Sequence, residues 1–219
     1  MASAAEQLAA NINLAAFAKA TDLQKRIWYT LLALIVYRIG TFIPIPGIDP
    51  ARFAEAFQQQ AGGILGMVNT LSGGAVERMA VFALNVMPYI SASIIIQLMA
   101  TSEPSLERLK KEGEVGRKQL NQYTRYLTLL LAVFQSYGIA IGLQTSNIAI
   151  QPGLFFILST VITLTGGTMF LMWLGVQVTA RGVGNGNSLI IFAGIIADFP
   201  RMLIQALSLM QQDSSRAFG

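Results

Sequence analysis

Cysteine and histidine are both absent from the 219 residues. The first absence removes disulfides and thiolate chemistry, and the second removes the usual neutral-pH proton shuttle and a common metal ligand. Charge is scarce too: Asp, Glu, Lys and Arg together make up 12% of the chain, where a soluble domain carries about a quarter. The stretches 79–100, 126–145, 154–178 and 188–197 contain no Asp or Glu at all. Coupled transporters commonly place ionisable groups at mid-membrane, so this lack weakens a pump reading, although backbone carbonyls can also bind Na⁺. No catalytic residue, cofactor site or metal site is expected. The N-terminal MASAAEQLAANINLAAFAKATDLQKR also lacks the basic region, long apolar core and cleavage site of a signal peptide.

What remains is apolar: 53% of residues are hydrophobic and the mean hydropathy is +0.55. A spanning helix needs about 20 mostly apolar residues. Stretches of that kind occur at 27–46, 79–100, 126–145 and 154–178. The shorter run Asn187 to Ala197 reaches spanning length only with its flanks, and the fifth span is set at 188–210. The expectation is an all-α, five-span membrane bundle. Residues 1–26 then form a cytoplasmic tail with a weakly amphipathic surface helix, 47–78 an outer segment, 101–125 a cytoplasmic basic loop, 146–153 an outer loop, 179–187 a glycine-rich turn and 211–219 an outer tail. Lys and Arg concentrate before the first span, in the loop after the second and in the turn before the fifth, which puts the N-terminus in the cytoplasm. The net charge of +4 is therefore a topological bias and not a nucleic-acid footprint.

Several local patterns carry two readings. GTFIPIPGIDP ends the first span, because proline lacks the amide and restricts its neighbour. Arg38 near that end reads first as an anchor reaching for the interface, and second as a paired functional charge. AGGILGMVNTLSGGA, 61–75, predicts a short apolar helix bracketed by Gly62/Gly63 and Gly73/Gly74, and on pattern alone it is a re-entrant or capping segment. GVGNGNS, 182–188, lacks the lysine of a phosphate loop and reads as a tight turn. Within FALNVMPYISASIIIQLM, 82–99, Val86, Ile90 and Ile94 share one helix face while Ser91 and Ile95 lie on the next. Pro88 should weaken the helix ladder near Leu84 and bend it.

MPYISASIIIQLM (87–99), RIGTFIPIPGID (38–49), LSGGA (71–75), KKEGEVGRKQLNQYTRY (110–126), GTMFLMWLG (167–175) and RGVGNGNSLIIFAGI (181–195) together resemble the SecY family, the pore-forming subunit of the bacterial protein translocase. The similarity runs in order from about Lys25 onward. It implies a ten-span channel of two inverted five-span halves, of which this sequence matches the first. The resemblance further assigns Val86, Ile90, Asn187 and Ile191 to a pore ring, and Ile64, Leu65, Met67, Val68 and Leu71 to a plug within 63–74 hinged on Gly62, Gly63, Gly73 and Gly74. Ser91, Ile94, Ile95 and Gln135 match one side of a lateral gate. Arg108, Lys110, Lys111, Arg117, Lys118 and Arg125 form a cytoplasmic docking loop. Asn187 departs from the family pattern, which usually has an aliphatic residue there.

The resemblance implies SecE- and SecG-type small subunits, a SecA motor or ribosome, signal sequences and nascent chains as substrates, and the bacterial cytoplasmic membrane as location. Half of a small-solute transporter and a pore-less scaffold are the alternatives. The topology is directly testable. In intact cells a single cysteine at Gln60 or Gln151 should react with an impermeant thiol reagent from outside, and one at Lys110 or Arg181 should not; the reverse pattern would invert the orientation.

Overall fold

The computed structural model describes residues 20–60 and 63–217, without the side chains of Gln60, Leu65 and 212–217. The surface helix expected in the N-terminal tail lies outside the described residues up to Lys19, as does Gly62. The helices are α1 (Thr21–Gly40), α2 (Pro50–Gln60), α3 (Ile64–Leu71), α4 (Met87–Ser102), α5 (Pro104–Lys111), α6 (Glu114–Thr145), α7 (Leu154–Arg181) and α8 (Gly186–Ala217). Among the described residues there is no strand, only the isolated bridges Pro44–Ala80 and Ile48–Ala149. The all-α expectation stands.

Three helices are long and apolar enough to cross a membrane: α6, α7 and the 186–211 part of α8. α1 carries Asp22, Lys25, Arg26 and Arg38, and α4 is apolar but only 16 residues long. The boundaries also differ from the expectation in instructive ways. α6 begins at Glu114, so the basic loop is a hairpin of α5 against the first turns of α6. Gly113 turns it with φ +76°, and Gly116 admits the backbone carbonyl of Leu109 where a Cβ would sit. α8 continues through Pro200 to Ala217, so residues 211–217 are helical.

The second apolar stretch is the main correction. Residues 79–86 are turns, not helix, and α4 starts only at Met87 with Pro88 in its first turn. Proline is favoured there because its missing amide has no partner to lose. Pro88 therefore opens the helix and does not bend it. The irregular segment is pinned to the loop after α1 by Ile45 N donating to Met79 O (3.0 Å) and Val81 N donating to Ile43 O (2.9 Å).

Small residues set the helix spacing. On α6 the buried positions Thr124, Thr128, Ala132, Ser136 and Ala140 recur every fourth residue, forming one stripe. Ser136 Oγ lies 3.4 Å from Thr165 Oγ1 of α7. Two apolar cores result. One gathers Ile45, Ile48, Met79, Leu84, Leu143, Ile148, Phe156 and Leu164 beside the loops that follow α1 and α6. The other gathers Ala33, Tyr37, Phe82, Val86, Leu171, Leu174, Val178 and Ile190. Tyr37, Phe82 and Phe170 stack at centroid spacings of 6.2 and 5.9 Å, tying α1, the irregular segment and α7 together.

α7 and α8 approach closely at Gly175 and Gly186, where a Cβ on Gly186 would fall on the Gly175 carbonyl. In the full-length channel Gly186→Val should therefore lower thermal stability by about 1–3 kcal/mol, the usual cost of overpacking. Gly138→Ala, which meets no atom within 4 Å, should be neutral or stabilising by under about 1 kcal/mol. Melting in detergent separates the two; equal melting temperatures would refute this packing.

Candidate pore and plug site

α3 is eight residues long and marginal by itself; its C-terminal end is what positions it. Gly73 (φ +63°) and Gly74 (φ +79°) leave the helix in left-handed geometry, which only glycine adopts without strain. Beside them a Cβ on Gly194 of α8 would meet the Leu71 carbonyl, and a Cβ on Gly73 would meet Gly194. Backbone thus rests on backbone. A helix C-terminus exposes carbonyls that need donors, and here other elements provide them. Asn85 Nδ2 donates to Leu71 O (2.9 Å), and Tyr37 Oη donates to Ser72 O (3.1 Å). Arg38 (2.8 Å) and Arg78 (2.9 Å) both donate to Gly73 O, and Arg78 Nε also donates to Thr41 O (3.3 Å).

Both guanidiniums lie against the Phe42 ring, at 5.0 and 4.3 Å from its centroid. Arg78, between α3 and α4, has its pKa lowered first by burial and then by the charge of Arg38. The shift leaves it a cation, since arginine begins so far above neutral pH. Its neighbour Glu77 is engaged elsewhere, accepting from Arg201 of α8 at 2.9 Å. Asn69 of α3 completes the turn, its Oδ1 accepting from Glu77 N (2.8 Å). Arg38 is therefore held within the fold by a backbone carbonyl and the Phe42 ring, a contact that neither of the two readings given for it specifies. Tyr37, Arg78 and Asn85 escaped the sequence reading, and only the oddity of Asn85 in an apolar run signalled it.

The sequence-assigned site residues distribute as follows. Val86 is buried and Ile90 and Ile191 are partly buried in one apolar cluster, so α4 and α8 bring three of the four ring candidates together. Asn187 lies one turn before Ile191 on the same face of α8. Its Oδ1 is buried against Gly175 without a hydrogen-bond partner, at the edge of a 330 Å³ polar cavity with Tyr89, Asn121 and Arg125. On α3, Ile64 and Met67 are 81% and 71% exposed while Asn69 is buried. The expected inward-packed apolar helix is thus turned with its polar side in and Ile64 and Met67 outward. The side chain of Leu65 is outside the described residues. Gly63 is open, with no atom within 4 Å of a Cβ there.

Ser91 and Gln135 line one apolar cavity of 540 Å³ with Val68, Phe53 and Phe57. Ile94 and Ile95 lie outside that lining, exposed. Arg108, Lys110, Lys111, Arg117, Lys118 and Arg125 are all exposed along the α5–α6 hairpin. Lys111 pairs with Glu107 at 2.7 Å, which lowers the pKa of Glu107. The remaining basic groups leave this surface cationic.

The SecY family model matches residues 80–218. The chain belongs to the SecY family. It is 56% identical over 196 residues to the protein translocase subunit SecY of Rickettsia conorii, covering 87% of this chain and 45% of that protein. The Escherichia coli K12 subunit is 53% identical over 195 residues, covering 87% and 44%; that of Pseudomonas aeruginosa is 50% identical over 199 residues, covering 91% and 45%. The SecY-family chain therefore spans less than half the length of these relatives. In fold it is similar to a solved protein conducting channel and to Sec61 of a canine ribosome-channel complex from the endoplasmic reticulum. Each gives a TM-score of 0.56 at 17% identity and covers 78% of this chain and 36% of the other. Family and apolar helices together make it a multi-pass membrane protein.

The unpaired Asn187 Oδ1 has a measurable consequence. An unsatisfied buried acceptor costs about 1–3 kcal/mol, so Asn187→Ala in the full-length channel should raise the melting temperature. A clear loss of stability would mean that this oxygen has a partner in the assembled protein.

Proposed function

We propose that the chain forms the N-terminal half of a protein-conducting channel that passes secretory polypeptides across the bacterial cytoplasmic membrane and membrane proteins into it. Five spans, α1, α4, α6, α7 and α8, place the N-terminus and the α5–α6 hairpin in the cytoplasm. The convergence in one apolar cluster of Val86 from the segment entering α4, Ile90 of α4 and Ile191 of α8, with Asn85 beside Val86 holding the end of α3, carries this reading. An apolar constriction blocks ions by excluding water and offers no group that would trap a passing chain. α3 is the plug, and its outward Ile64 and Met67 are met by the half that the relatives have in addition. The α4 and α6 faces with Ser91, Ile94, Ile95 and Gln135 form one side of a lateral gate to lipid.

The channel has no chemistry of its own in this reading, and energy comes from partners. The cationic hairpin suits the docking of a SecA motor or a ribosome, with SecE- and SecG-type subunits bracing the bundle. In the full-length channel Ile90→Asn and Ile191→Asn should hydrate the constriction and raise resting ion conductance in planar bilayers by about tenfold or more, since a buried polar side chain recruits water. Variants as silent as the parent would return these residues to the role of packing contacts and remove the pore reading.

A further inference from the structure

The two ends of α3 are held very differently. At its C-terminal end three successive carbonyls, of Leu71, Ser72 and Gly73, receive four side-chain donors from Asn85, Tyr37, Arg38 and Arg78. Those donors come from α1 and from the segment leading into α4; Tyr37 and Asn85 are buried and Arg38 and Arg78 half-buried. The negative end of the helix also meets two cations, which strengthens the hold. At the other end Gly63 stands in open space, and Ile64 and Met67 are exposed.

We infer that the Gly73–Gly74 turn is the seat of a latch: Tyr37, Arg38, Arg78 and Asn85 are the positioning residues that hold α3 closed through its last carbonyls, and α3 leaves its closed position when those bonds are released. This rests on the reading of α3 as the plug. Geometry also says what the arginine at 78 contributes beyond charge. Its Nε and one terminal nitrogen reach two different carbonyls, those of Thr41 and Gly73, which a lysine ammonium on a flexible stem cannot reproduce as a fork.

The test uses the full-length channel in proteoliposomes, freed of other cysteines, with Val68→Cys as reporter and an impermeant thiol reagent outside. Arg78→Lys, which keeps the charge and loses the fork, should raise the modification rate of Cys at 68 by about tenfold, the scale of one to two lost hydrogen bonds from charged donors. Tyr37→Phe removes a single donor and keeps the stacking on Phe82, so it should fold normally and raise the rate by a smaller factor, about threefold. An Arg78→Lys rate equal to the parent's overturns the latch, because charge alone then suffices. A rise in Arg78→Lys with none in Tyr37→Phe overturns it too, because the clasp is then not shared. The pore reading stands or falls separately on the resting conductance of Ile90→Asn.

Discussion

From Ser72 to Val86 the chain forms no regular helix, yet it is mostly buried, and buried backbone without a partner costs several kcal/mol per group in an apolar medium. This need for internal hydrogen bonds governs the middle of the molecule. Some of it is met locally, as where Ala80 N donates to Ala75 O at 2.8 Å and Asn85 N to Phe82 O at 2.9 Å. Some is met by the loop after α1, where Ile43 and Ile45 pair with Val81 and Met79. The carbonyls of Leu71 and Gly73 at the end of α3 take side-chain donors instead, and that of Ser72 takes the Tyr37 hydroxyl besides Ala75 N. Arg38, Arg78 and Asn85 are thus polar because a turn of backbone beside them must be satisfied, and the position of α3, the start of α4 and the place of Val86 all follow from that turn.

Two cations on one neutral carbonyl would repel each other, and the surroundings decide why they stay. Two like charges a few ångströms apart in a partly solvated site cost on the order of 1–4 kcal/mol. Hydrogen bonds from charged donors contribute about 1.5–3 kcal/mol each, and a cation on an aromatic face about 0.5–2 kcal/mol. Arg78 makes two such bonds and Arg38 one, with Phe42 between them, so attraction exceeds repulsion. Nearby Glu77, held by Arg201, offsets part of the remaining positive field.

Much of this was legible beforehand, and the failures have physical causes. Hydropathy found α6, α7 and α8 because lipid exposure demands an unbroken apolar run. The same criterion ran 79–100 together, since a buried turn segment is as apolar as a helix, and composition does not tell one from the other. Pro88 could have: a proline is worth more at a helix start than in its interior, and ALN before MPY is an unremarkable helix entry only in retrospect. The motif similarity singled out Val86, Ile90 and Ile191, which periodicity alone would have left as packing residues, and the structure shows of them only that they share one apolar cluster. The clasp was invisible because its donors come from positions 37, 38, 78 and 85, a non-local set with no spacing pattern. Asn187 shows the opposite case, where a single departure from the family pattern marked a residue whose side chain lies apart from the apolar cluster.

The seams between helices differ in a way that bears on motion. α6 and α7 meet through a stripe of small residues with backbones close together, and separating them would forfeit dispersion contacts along its length. α4 meets α6 through Ala92, Ile96 and Ala100, but cavities of 540 and 260 Å³ open at the two ends of that seam. Atoms facing a cavity have no partners to lose on that side, so shifting α4 against α6 costs less than parting α6 from α7. The irregular segment that feeds α4 also carries Asn85 and Val86. A displacement of α4 would therefore be felt at the clasp on α3, at the apolar cluster and at the Tyr37–Phe82–Phe170 stack that joins this segment to α1 and α7.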